Sequence, residues 1–91
     1  MLNDDCQSLF DQFVPMARQY LDSPGVMAAL ELDQLCMKLY PAVAREKQDQ
    51  ELSNMIRDFG RGLPRKEADE LAVMFDGIIE QARVAGLNLP A

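Results

Sequence analysis

VMAALELDQLCMKLYPAVA, residues Val26–Ala44, is the stretch that decides the fold. Advancing 100° per residue from Val26 brings Ala28, Leu32, Leu35, Cys36, Leu39 and Val43 into one arc, the ordinary stripe that faces a core. Across the helix Val26, Leu30, Met37 and Ala44 form a second apolar line, with Tyr40 at its margin. Glu31, Asp33, Gln34 and Lys38 fill the strips between. A helix with two apolar faces needs two partners, and in so short a chain the second is expected to be another protein.

The same period runs outward in both directions. Upstream, Asp4 or Asp5 suits a helix N-terminus, and Leu9, Phe10, Phe13, Val14, Ala17, Tyr20 and Leu21 carry the stripe to about Leu21. Pro15 interrupts this helix without breaking its phase, which predicts a kink or a short helix followed by a longer one, at about 3 kcal/mol if the proline is interior. Asp22-Ser23-Pro24-Gly25 is a stop and restart, with Ser23 as N-cap and Pro24 in the first helical position. Pro41 repeats the interruption in the second helix, which is expected to end or bend at Leu39–Tyr40.

Downstream, residues 45–51 (REKQDQE) read as an exposed helix end plus a connection. Leu52, Met55, Ile56 and Phe59 give a short third helix, with Gly60 as a left-handed C-cap and Arg61-Gly62-Leu63-Pro64 as the link. The fourth helix is expected from about Pro64 to Ala85, stopping at Gly86. Its core stripe is Leu71, Met74, Phe75, Ile78, Ile79 and Ala82, and Glu67, Asp69 and Glu70 sit early, favourable to the helix dipole. The fold class is therefore all-α: one domain, residues 1–91, a small bundle of about four helices, two of them proline-interrupted.

Ninety-one residues with 48% apolar content bury only about 60–65% of the unfolded surface on folding. Oligomerisation or burial against a partner is a way to cover the surplus. The net charge of −6 is concentrated early: residues 1–33 hold Asp4, Asp5, Asp11, Asp22, Glu31 and Asp33 against Arg18 alone. Phosphate is repelled by that half, so neither nucleic acid nor an anionic membrane is the expected partner; a basic protein surface fits better. The start MLNDDCQ has acids where a signal peptide needs Lys or Arg, no span reaches 18 apolar residues, and a reducing cytoplasm is the expected compartment.

Residue usage removes whole classes of chemistry. Without histidine there is no Ser-His-Asp or Cys-His pair, and the commonest zinc ligand is missing. Cys6 and Cys36 both fall on core stripes and read as reduced, buried thiols, with a disulfide or a redox sensor as the alternative. No Walker loop, G-x-G-x-x-G or EF-hand loop occurs. The helix dipole already accounts for Glu67, Asp69 and Glu70, so they are not taken as metal ligands. Arg57, Arg61, Arg65 and Lys66 are the one basic cluster, neighboured by Asp58 and Glu67, and only Phe59 interleaves it. No enzyme activity, cofactor or metal is expected.

The candidate site is therefore a surface. Val26, Leu30 and Met37, at i, i+4 and i+11, with Tyr40 completing the patch, are the protein-binding candidates. Methionine suits such a surface because it is flexible and polarisable, whereas Met55 and Met74 read as core filler. Val73, Gly77 and Val84 form a weaker line on the fourth helix. There a glycine costs about 1 kcal/mol relative to alanine, and it marks either a close crossing between two chains in a dimer or a tolerated surface position.

With its acidic, histidine-free, all-helical character and the segments LFDQF (Leu9–Phe13) and MAALELDQLCMKL (Met27–Leu39), the chain resembles the small antiactivators of bacterial quorum sensing that bind a LuxR-type transcription factor. The resemblance covers overall character and rests on no diagnostic motif. It implies a protein that occupies the receptor's dimerisation surface and so prevents DNA binding, with no enzymology and no cofactor. The expected function is a non-enzymatic protein-binding regulator. The alternative is a structural homodimer in which the second stripe completes a bundle core, or a chaperone or adaptor with no inhibitory role.

Overall fold

The computed structural model describes residues 5–89, and among them helix is the one regular structure. Four helices follow in chain order: α1 (Cys6–Asp22), α2 (Val26–Glu46), α3 (Gln50–Gly62) and α4 (Ala68–Val84). Each packs on its sequence neighbours, and α1 closes on α4, so the helices stand in cyclic order around one core. At its centre Phe13 of α1 meets Phe59 of α3 edge-on at 5.7 Å and Phe75 of α4 at 6.0 Å. Leu32, Leu39 and Val43 of α2 are buried in the same core, as are Ile56 and Ile78.

α1 begins where an acid caps it: the Asp5 carboxylate accepts the Ser8 amide at 2.7 Å, satisfying one of the free donors of the first turn. That hydrogen bond holds the Asp5 carboxyl below its ordinary pKa. The other candidate cap, Asp4, lies outside the described residues. Glu46, at the far end of α2, accepts the Cys6 amide at 3.0 Å and ties the end of α2 to the start of α1.

Both prolines lie inside continuous helices, and α2 does not end at Leu39–Tyr40. A proline removes the N–H that the carbonyl four residues earlier would accept. Those carbonyls belong to Asp11 and Met37, both exposed residues, and Pro15 and Pro41 are themselves exposed, so water can replace the lost donor. Just before Pro41, the Tyr40 carbonyl accepts the buried Ser53 hydroxyl of α3 at 2.7 Å.

Other boundaries differ from the sequence reading for local reasons. Ser23 closes α1 by donating its amide to the Gln19 carbonyl at 2.9 Å, and the N-cap of α2 is Gly25. Thus Ser23 and Pro24 both belong to the connection. α3 is capped by Asp49, whose carboxylate accepts the Leu52 amide at 2.9 Å and the Gln81 side chain of α4 at 2.9 Å. α4 starts at Ala68, four residues after Pro64, with the Glu70 carboxylate accepting the Glu67 amide. The turn before it is pinned by the buried Tyr20 hydroxyl, which donates to the Leu63 carbonyl at 3.1 Å.

Gly60 is not a left-handed cap. It lies inside α3, and among the described residues the positive φ values belong to Gln48 and to Gly86, which at +89° ends α4 as expected. Gly60 is where α3 crosses α2: a Cβ there would stand 3.0 Å from the Cys36 Cβ and 3.0 Å from the Asp33 Oδ1. The missing side chain is what allows that approach.

Candidate functional site

The inner stripe of α2 is buried as its spacing requires, Ala28 excepted, which is half-buried. The core closes without the outer stripe. Val26 is 78% exposed, Leu30 53% and Met37 60%, with Met27 beside them at 70%, while Tyr40 and Ala44 are half-buried. Among the described residues, four of the seven large apolar side chains that stand exposed are thus on this one helix. The fold brings the predicted patch together along about 21 Å of α2, from Val26 to Tyr40, at 1.5 Å per residue.

Tertiary packing adds a wall that the helix alone lacks. On the α3 side, Leu63 and Pro64 of the α3–α4 connection face Val26, Ala29 and Leu30 across an open groove of about 400 Å³. Asp33 sits at the end of this groove and also lines the next depression, of about 210 Å³, with Met37, Tyr40, Arg57 and Arg61. On the α1 side, Glu31, Gln34 and Lys38 share a shallow depression with Gln12, Met16 and Leu35. The outer face is therefore an apolar strip with charged flanks.

The basic cluster divides. Arg57 turns to Asp58 at 3.4 Å and lines the depression beside Met37. Arg65 and Lys66 line a separate one with Asp58 and Glu70, and Arg61 reaches both. The line on α4 divides too. Val73 and Val84 are 72% and 76% exposed, but Gly77 is half-buried beneath the Met55 methyl, which would stand 3.2 Å from an added Cβ. Gly77 therefore marks a close contact within the chain.

The two thiols are free and buried. Burial, reinforced by nearby Asp33, pushes Cys36 up to about 12; burial and then Glu46 raise Cys6. Both are held as thiols, the unreactive form. Among the described residues no group of three or more His, Cys, Asp or Glu side chains is placed to hold a metal ion. Among the described residues no helix is long and apolar enough to cross a membrane. Comparison with protein-family models, curated proteins and solved structures gave no match.

The sequence reading missed the groove's second wall and the role of Asp33 between the two depressions. Leu63 carried a signal: a single leucine in a Gly- and Pro-containing link is more often anchored than free. Its place beside Val26 depends on where α3 ends relative to α2, which the local sequence does not encode.

Proposed function

We propose that this chain is a non-enzymatic regulator that acts by binding another protein through the outer face of α2. Val26, Leu30 and Met37 are its anchors, and Tyr40 lies at the margin. The observation that carries this reading is the concentration of large exposed apolar side chains on one helix whose opposite face is already fixed in a complete core. Rigid presentation matters, because association costs several kcal/mol and each anchor returns about 1.5–3 kcal/mol when buried. A preorganised helix loses little ordering entropy on docking.

Within this reading the antiactivator role is the specific form we favour: the face occupies an apolar surface of a transcription factor of the LuxR type and blocks its dimerisation. The support is the family resemblance together with a face of helix-in-groove form. The test is co-expression with LuxR-type receptors, reading promoter activation and co-purification of the receptor's ligand-binding domain. Wild type should silence the reporter and co-purify with one receptor, and Leu30→Asp should lose both effects while keeping its helicity. If wild type leaves every receptor active and unbound, the antiactivator role fails.

A further inference from the structure

The outer face of α2 is complementary to itself, and we propose that it pairs with a second copy of this chain in an antiparallel α2–α2 dimer whose two-fold axis passes beside Gln34. Two pairs of exposed apolar positions are symmetric about the point midway between Asp33 and Gln34: Leu30 and Met37 are equidistant from it, and so are Val26 and Pro41, while Met27 lies outside the pattern. Two helices related by a two-fold axis there place Leu30 level with the partner subunit's Met37 and Val26 level with the partner subunit's Pro41. Symmetry makes each contact twice.

Glu31 and Lys38 follow the same symmetry. A two-fold axis of this kind sets the α1-side flank of one α2 beside the α1-side flank of the other. Glu31 and Lys38 both lie on that flank. Glu31 then falls within about 3 Å, along the helix axis, of the partner subunit's Lys38. The two Lys38 side chains are about 13 Å apart along the axis, so unlike charges are the nearer pair. Gln34 and Asp33 lie equally near the axis on opposite flanks: Gln34 meets the partner subunit's Gln34, where two amides can exchange hydrogen bonds, and Asp33 meets the partner subunit's Asp33, a like-charge pair beside which Arg57 and Arg61 line the same depression. On the α3 side, the groove of about 400 Å³ beside Val26 and Leu30 stands level with the partner subunit's Met37 and Tyr40. The second copy thus supplies both the anchors that fill the groove and a cover for the anchors beside it.

The dimer does not depend on the regulator reading. If both hold, self-association withholds the face from other partners, so capture draws on the dissociated protomer, whose core is complete.

Sedimentation of the full chain from about 1 to 200 μM should show a 10.2 kDa protomer in equilibrium with a particle of twice that mass, with a dissociation constant on the order of 10 μM, as a small interface gives. Leu30→Asp should raise that constant at least about 100-fold with unchanged circular dichroism. Glu31→Lys and Lys38→Glu should each weaken the dimer by about threefold or more, and the two together should restore it. Gln34→Cys decides the register. With helix axes about 9 Å apart its Cβ atoms fall about 4 Å from each other, within disulfide reach, so mild oxidation should give a covalent dimer. Asp76→Cys on the exposed side of α4 should not. A protomer mass at every concentration, a dimer that survives Leu30→Asp, or a dimer in which Gln34→Cys fails to self-link would overturn the proposal. Failure of receptor capture would leave these masses unchanged, so the two readings fail separately.

Discussion

One added methyl group at Gly60 sets two known effects against each other. Alanine in a helix interior is favoured over glycine by about 1 kcal/mol. Against this, the new Cβ would stand 3.0 Å from the Cys36 Cβ and 3.0 Å from the Asp33 Oδ1, where carbon atoms prefer about 3.5–4.0 Å. The Asp33 carboxylate can rotate away. The Cys36 Cβ is fixed to the backbone of α2, so relief requires α2 and α3 to separate by about half an ångström or more. Overpacking of this kind costs about 1–3 kcal/mol, and subtracting the propensity gain leaves a net loss near 1 kcal/mol. In a domain of this size that lowers Tm by about 4–8 °C.

Gly77 is the matched control. There an added Cβ meets only the Met55 methyl, at 3.2 Å, the far end of a flexible side chain that can move aside. Gly77→Ala should therefore keep most of the propensity gain and raise Tm by about 4–8 °C. Thermal unfolding of the two variants by circular dichroism should place them on opposite sides of wild type. If Gly60→Ala proves as stable as Gly77→Ala, the close crossing is not what keeps glycine at position 60.

Three further results are expected. Tyr20→Phe removes the donor to the Leu63 carbonyl and should cost about 1–3 kcal/mol, because the acceptor is left inside the protein; urea unfolding measures it, and a loss below about 0.5 kcal/mol would mean water already serves that carbonyl. Leu30→Asp should leave Tm within a few degrees of wild type, since the side chain is 53% exposed and outside the core; cooperative unfolding lost in this variant would show that the outer face is needed to hold the fold. Cys36 binds its proton up to about 12 when folded, against 9.0 for the free thiol. Between those values the unfolded chain holds fewer protons, so this contribution to stability is intact below about pH 9 and falls by about 1.4 kcal/mol per pH unit above it. Denaturant unfolding at pH 8, 9.5 and 10.5, with Cys36→Ala as the reference that keeps Cys6 and lacks only this thiol, measures the difference in slope, and equal slopes would refute the assignment.

Much of the fold is written in the sequence because helical periodicity is a local property. The inner stripe of α2, the alternation of core and solvent along α1, the acidic cap at Asp5 and the glycine stop at Gly86 depend on residues within a few positions of one another, and each is found as read but for Ala28 and Leu21, which are half-buried at the stripe ends. The outer line of α2 was legible for the same reason: period alone separates two faces of a helix. What period does not carry is which glycine is conformational and which is steric. Gly60 read as a cap, yet it is the α2–α3 crossing, and Gly77 receives the Met55 side chain, which its own helix does not encode, because both contacts are set by atoms on a neighbouring helix.

The prolines divide in the same way. Sequence located Pro15 and Pro41 and the bond each must remove. In the tertiary structure both helices continue: Asp11 and Met37, whose carbonyls lose a donor, are exposed residues, and the Tyr40 carbonyl is paired with Ser53 of α3. The sequence by itself determined that α2 carries two apolar faces. Only the assembled bundle decided that one is core and the other is free, and that Leu63 and Pro64 turn the free one into the wall of a groove, because burial is a property of which surfaces meet, and that depends on residues distant along the chain.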